Sequence, residues 1–377
     1  MDGSLPDTPG RAGGRSTGDD VTTINTKPAP DTSTAPPRVL RQHLMELVEE
    51  QLSEFFRVER DRRSRAHSRA ADLVGSVADL VAAGGKRIRP AFCISGFLAA
   101  GGDPDDHRVL PAASALELLH ASALIHDDIM DAATRRRGVP TVHEQHSATH
   151  RMLGWRGEDR RYGEGVAVLA GDLALVYADQ FMAAAPPLVD ALWAELRAEL
   201  IVGQFVEVHV AAAADFPIDP ELARWIAVAK SGRYTIHRPL EVGAAIAGRP
   251  DLADAFEAYG AAIGEAFQLR DDLMDAFGDG QVTGKPHGLD IEQHRMTLLL
   301  GLAMKRDVGI GDLVSSNATR SGRLRRRLQD TGVRVDVEEH IDRLVEEGCR
   351  AIAKAPLAAG WREELTEMAH LVAYRDR

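Results

Sequence analysis

The stretch Leu116-Glu117-Leu118-Leu119-His120-Ala121-Ser122-Ala123-Leu124-Ile125-His126-Asp127-Asp128-Ile129-Met130-Asp131 is apolar with helical spacing and closes on three aspartates. At about 100° per residue, positions i, i+1 and i+4 fall on one side of a helix, so the three carboxylates crowd one face. Such a face repels itself unless cations sit on it. The spacing returns in Asp271-Asp272-Leu273-Met274-Asp275, within a second apolar-periodic segment, residues 252–277, that sets Phe267 and Leu269 beside the acids. One such cluster reads equally well as a solvated acidic surface; two, each embedded in an apolar helix, point to a site.

Working outward, the helical period persists. Leu44, Leu47, Val48, Leu52 and Phe55 recur at spacings of three and four, as do Leu73, Val77, Leu80 and Val81. Aromatic residues are only 5% of the chain, and no Asn-Gly or Asp-Gly pair separates alternating apolar runs, so strands are not expected. Breakers such as Gly84-Gly85, Gly101-Gly102, Pro186-Pro187 and Arg249-Pro250 cut the chain into helices of about 12 to 28 residues with short connections. The expected fold is all-α, one large helical domain over residues 39–377 around a central cavity. Residues 1–38 are rich in Gly, Pro, Ser, Thr and Asp without an aromatic, and are expected to form a disordered tail. The basic run from Arg320 to Arg327 reads as a solvated helix face.

Carboxylate clusters without cysteine call for a hard divalent cation, above all Mg²⁺, which shares its shell with water and phosphates. A diphosphate held between two opposed clusters would leave its carbon readily, because the developing negative charge is already neutralised. Candidate anion donors surround the clusters. Gly84-Gly85-Lys86-Arg87-Ile88-Arg89-Pro90 stands at a helix-to-helix turn, with Lys86 and Arg89 expected on one face. Arg136 and Arg137 follow the first cluster, and His120 precedes Asp127 by two helical turns. Lys230, Ser231 and Gln268 add donors near the second. Gly284-Lys285-Pro286, Asp290, Arg295 and Thr297 read as a basic lid over a diphosphate.

Composition excludes several classes of partner. With 45 basic against 57 acidic residues, a net charge of −12 disfavours nucleic acid and anionic lipid. Cys93 and Cys349 are too far apart in sequence for a C-x-x-C pair, which fits a reducing cytoplasm. No uninterrupted apolar run approaches the ~18 residues of a membrane span, and Asp2 and Asp7 stand where a signal peptide carries positive charge.

The ordered set G-G-K-R-I-R-P at 84–90, L-H-A-S-A-L-I-H-D-D-I-M-D at 119–131, R-R-G at 136–138, G-D at 171–172 and F-Q-L-R-D-D-L-M-D at 267–275 resembles the trans-isoprenyl diphosphate synthases, the polyprenyl synthetase family. The resemblance covers nearly the whole chain beyond the tail. It implies an all-α isoprenoid synthase fold, usually a homodimer, and head-to-tail condensation of isopentenyl diphosphate with an allylic diphosphate. By the same resemblance, Lys86, Arg89, His120 and Arg137 hold isopentenyl diphosphate, and Arg136 the allylic diphosphate. Asp127, Asp128 and Asp131 bind two Mg²⁺. Asp271, Asp272 and Asp275 form the second motif, with Asp271 as ligand of a third Mg²⁺. Lys230, Ser231, Gln268, Lys285 and Arg295 surround the leaving diphosphate. His294-Arg295 replaces the family's usual Gly-Lys pair, and Ser231 its frequent threonine.

Two alternatives remain at this level. A class I terpene cyclase also uses an Asp-rich helix and Mg²⁺, but usually carries an N-D-x-x-S-x-x-x-E motif, absent here, and lacks the Lys86 and Arg89 clamp. A non-catalytic partner subunit generally loses one cluster, whereas both are complete. For product length, Ser122 and Leu119 stand five and eight residues before Asp127. An aromatic residue at the fifth position commonly stops growth at farnesyl diphosphate in the family. Ser122 is too small for that, which implies geranylgeranyl diphosphate, with farnesyl or longer products as alternatives and Leu119 as a candidate floor.

Overall fold

Pro36 and Pro37 set the first turn of helix α1 (Pro37–Ala66), where a missing N–H costs nothing. The computed structural model describes residues 35–136, 138–213, 220–277, 297–315 and 321–374. Helix α1 runs 30 residues and turns Leu40, Leu44, Leu47, Val48, Leu52 and Phe56 into the core. Helix α1 thus begins at Pro37, two residues before position 39, and residues 1–34 of the expected tail lie outside the described residues. The chain continues through α2 (Ala70–Ala82), α3 (Ile88–Ala99) and α4 (Leu110–Met130). A two-residue antiparallel ribbon follows, β1 (Arg135–Arg136) and β2 (Val139–Pro140), with Arg136 opposite Val139.

Helices α5 (Val142–Leu153), α6 (Asp159–Met182), α7 (Pro187–Ala213) and α8 (Pro220–Ala227) come next. A ten-residue π-helix, Val228–His237, joins α8 directly to α9 (Arg238–Ile246), and α10 spans Ala253–Phe277. Beyond it lie α11 (Leu298–Arg306), α12 (Gly309–Ser315), α13 (Ser321–Asp330), α14 (Val333–Lys354) and α15 (Ala359–Ala373). The described helices run from 7 to 30 residues, a wider range than the breakers predicted.

Two helices carry the core. Helix α4 starts at Leu110, six residues before the quoted stretch, because Pro111 is tolerated in its first turn. Residues 112–119 are buried without interruption, the mark of a helix enclosed on all sides, here by α1, α2, α3, α6 and α9. Helix α10 is enclosed by the π-helix, α14 and α15. In α13, Leu324 and Leu328 face inward while Arg327 pairs with Asp307 and Arg325 donates to the Phe277 carbonyl, so the basic run is only partly a solvated face.

Two helical segments, His107–Met130 and Asp159–Met182, are long and apolar enough to cross a membrane by length and composition alone, a test that the core helix of a folded domain also passes. The first is mostly buried within the protein; the second is buried along one side.

Candidate active site

Helix α4 ends at Met130, with Asp131 as its cap. Ala132 takes a left-handed φ of 49°, and the chain doubles back into the β ribbon. That reversal brings Arg136 onto Asp128. Its Nε donates to both carboxylate oxygens at 3.0 Å and Nη2 to Oδ1 at 2.7 Å. Asp128 is buried, whereas Asp127 and Asp131 stay half-exposed. His126, adjacent to the cluster, places Nε2 3.3 Å from the Val168 carbonyl and 3.6 Å from Asp172. Gly171 faces that ring, where a Cβ would come within 2.1 Å of Nε2, which accounts for the Gly-Asp pair at 171–172.

The π-helix supplies the link to the second cluster. Lys230 pairs with Glu207 of α7, and its Nζ lies 3.9 Å from Asp127. Further along, the backbones of Gly232 and Gly264 touch: a Cβ on Gly264 would sit 2.5 Å from the Gly232 Cα. Gly264, Gln268, Asp271 and Asp275 follow at i, i+4, i+7 and i+11, one stripe of α10. One element thus reaches Asp127 through a side chain and the Asp271 stripe through its backbone. π-helical turns are uncommon and frequently accompany functional sites. Gln268 donates to Asp272 at 2.9 Å, and Asp272, like Asp128, is buried. Ser231 is half-buried on the same segment.

The basic turn differs from its expected form. Gly84 has a φ of 78°, and Arg87, a non-glycine residue, holds a φ of 46° as the cap before α3. Lys86 therefore precedes the helix while Arg89 lies inside it, and no common helix face is formed. What fixes the turn is Arg87. Its guanidinium bonds Glu49 at 2.6 Å, the Val81 carbonyl at 2.7 Å and the buried Glu117. Burial opposes its charge, but the two carboxylates outweigh that and raise its pKa. Lys86 is exposed. Arg89 lies over the Tyr234 ring at 4.1 Å, and the Tyr234 hydroxyl is 2.8 Å from Nδ1 of His120.

Arg87, Glu207 and Tyr234 are the residues that sequence reasoning missed. Glu207 had a signal, standing one helical turn after Gly203, whose Cβ would lie 3.0 Å from the Lys230 backbone. Arg137, Lys285, Asp290 and Arg295 lie outside the described residues, whereas Thr297 caps α11, accepting from Leu300 N–H at 3.2 Å. Leu119 and Ser122 are both buried on α4.

The donor set fits a hard divalent cation. Asp127, Asp131, Asp271 and Asp275 offer half-buried carboxylate oxygens, and the elements that carry them hold no cysteine. Among the described residues no three acidic, histidine or cysteine side chains already converge on one point. Mg²⁺ takes one or two carboxylates and completes its shell with water and phosphate.

Residues 71–326 match the family model for polyprenyl synthetase. The chain belongs to the polyprenyl synthetase family. Its similarity to individual members spans different shares of their length. A short chain isoprenyl diphosphate synthase of Methanocaldococcus jannaschii is 34% identical over 231 residues, 60% of this chain and 64% of that protein. The (2E,6E)-farnesyl diphosphate synthase of Mycobacterium tuberculosis is 36% identical over 219 residues, 57% of this chain and 55% of that protein. The chain thus spans less than two thirds of either relative. The crystal structure of geranylgeranyl pyrophosphate synthase from Corynebacterium glutamicum, complexed with isoprenyl diphosphate and magnesium, superposes with a TM-score of 0.82 at 35% identity. It covers 88% of this chain and 99% of that one. This polyprenyl synthetase accordingly has the all-α isoprenoid synthase fold, and the family match takes in both aspartate clusters.

Proposed function

We propose that the chain is a Mg²⁺-dependent prenyltransferase that condenses isopentenyl diphosphate with an allylic diphosphate and makes geranylgeranyl diphosphate. The observation that carries this reading is the π-helix that joins the two aspartate clusters, with Lys230 at Asp127 and Gly232 against the Asp271 stripe. Asp127, Asp128, Asp131 and Asp271 would hold three Mg²⁺, with Asp272 and Asp275 completing the second cluster. When bound, the metal supplies neutralisation of the charge that develops on the leaving diphosphate.

The chain's own residues position and neutralise. Lys230, Ser231 and Gln268, with Lys285 and Arg295, surround the allylic diphosphate together with Arg136. Lys86, Arg89, His120 and Arg137 grip isopentenyl diphosphate. The allylic carbon–oxygen bond breaks with its electron pair leaving on diphosphate. The isopentenyl double bond attacks the resulting cation, and the new cation loses a proton to the released diphosphate. No covalent nucleophile is required, and orientation carries much of the rate.

The α6 and α7 faces support a homodimer. Leu169 and Val176 on α6, and Ile201 (61%) and Phe205 (66%) on α7, are exposed apolar residues, more than a monomer usually leaves on neighbouring helices. A second copy of the chain fits that surface. Light scattering on the purified protein tests this, with Phe205→Asp expected to shift it toward monomer.

The buried Ser122 carries the product assignment. Purified protein incubated with Mg²⁺, isopentenyl diphosphate and each allylic starter should yield geranylgeraniol after dephosphorylation and chromatography. Ser122→Tyr should shorten the product to farnesol while leaving the first condensation intact. A wild type that stops at farnesyl diphosphate, or a Tyr variant with an unchanged product, overturns the role given to Ser122. Absence of any elongation with every starter overturns the prenyltransferase reading.

A further inference from the structure

Arg89 from α3, His120 from α4 and Tyr234 from the π-helix meet at one aromatic ring. Tyr234 is 4% exposed. The Arg89 guanidinium lies 4.1 Å from its ring centroid, and the His120 ring is 6.2 Å from it, tilted by 52°. The Nε of Arg89 is buried without a hydrogen-bond partner among the described residues, and the ring of Tyr234 supports one side of this guanidinium. At the other end of the ring the hydroxyl lies 2.8 Å from His120 Nδ1. Burial raises the Tyr234 pKa far above the working range, so the hydroxyl keeps its proton.

A hydroxyl that donates to Nδ1 leaves the imidazole proton on Nε2. We propose that Tyr234 is a positioning residue for isopentenyl diphosphate: its ring face aims Arg89, and its hydroxyl fixes His120 as the tautomer whose Nε2–H donates to a phosphate oxygen. This rests on the clamp reading given above. Tyr234 joins two donors from different helices, so that both address one anion without a search through rotamers.

The two functions of the ring can be separated. Tyr234→Phe keeps the stacked face and removes only the bond to His120. The expected result is a rise of about three- to tenfold in KM for isopentenyl diphosphate, with kcat and the allylic KM within about twofold of wild type. Tyr234→Leu removes both contacts and should raise that KM further. Ring ¹⁵N shifts of His120 should report the Nε2–H tautomer in the wild type and a mixture in Tyr234→Phe, a change that a packing role would not produce. Equal changes in both substrates' KM, or an unchanged His120 tautomer in Tyr234→Phe, overturn the proposal. His120→Ala separates the levels. If it leaves the isopentenyl KM unchanged, the clamp reading itself falls and takes the proposal with it. If it raises that KM while Tyr234→Phe behaves as wild type, the clamp stands and only the role of Tyr234 is lost.

Discussion

At the end of α4, Asp128 is 3% exposed and gripped by the guanidinium of Arg136; toward the end of α10, Asp272 is also 3% exposed but accepts from the amide of Gln268. In both clusters the middle carboxylate turns inward and the outer two stay half-exposed. The crowding of all three carboxylates on one face that the spacing predicted is thus only partly met: i and i+4 share a side, while i+1, rotated by about 100° from i, turns into the core. The neighbours differ. Arg136 pairs with Asp128 and Lys230 stands 3.9 Å from Asp127, while the Gln268 amide donates to Asp272. Two copies of one motif thus meet different side chains at their middle position.

The largest effects should come where the clusters are alike. Asp127→Ala and Asp271→Ala are each expected to lower kcat by about 100- to 1,000-fold or more, with far-ultraviolet dichroism unchanged. Near-normal elongation by either variant in a Mg²⁺-buffered assay breaks the equivalence of the outer positions.

Next is the bridge between them. Gly264→Ala puts a methyl 2.5 Å from the Gly232 Cα, an overpacking that should cost about 1–3 kcal/mol and reduce turnover as the π-helix is displaced. Calorimetry and kcat check it together. A variant with wild-type melting and turnover shows that the contact does not couple the clusters.

The inner positions sharpen the contrast. Asp128→Asn gives up a charge-assisted, bidentate pair and should destabilise by about 1.5–3 kcal/mol, while Asp272→Asn still offers Gln268 a carbonyl and should lose less. Urea midpoints measured side by side decide this, and equal shifts would make the two environments equivalent. The smallest effect belongs to Gln268→Ala, about 0.5–1.5 kcal/mol in the same titration with an unchanged slope.

Both cluster helices and the aspartate spacing were legible in the sequence because the period that defines a helix face is local. The basic turn was not. Its geometry depends on Arg87 reaching Glu49 and Glu117, 38 and 30 residues away, and those contacts hold a non-glycine residue in a left-handed conformation that separates Lys86 from Arg89. The π-helix has no sequence period of its own at Val228–His237, so Lys230 was foreseen but its partner Glu207 was not. Tyr234 carried no signal in the sequence, since its partners arrive from α3 and α4. The ribbon that carries Arg136 was invisible for a related reason: two residues per strand leave no alternation to detect.

The contact between Gly232 and Gly264 has a consequence for how such an enzyme can diversify. Two main chains in van der Waals contact have no rotamers to exchange, so the gauge between the π-helix and α10 behaves like a machined fixture. Tinkering there is punished at once. Ser122 and Leu119 lie on α4, upstream of the acids, where a changed side chain alters room without moving the fixture. Side-chain room along α4 and the spacing of the frame can then drift independently, one as an adjustable setting and the other as a constant.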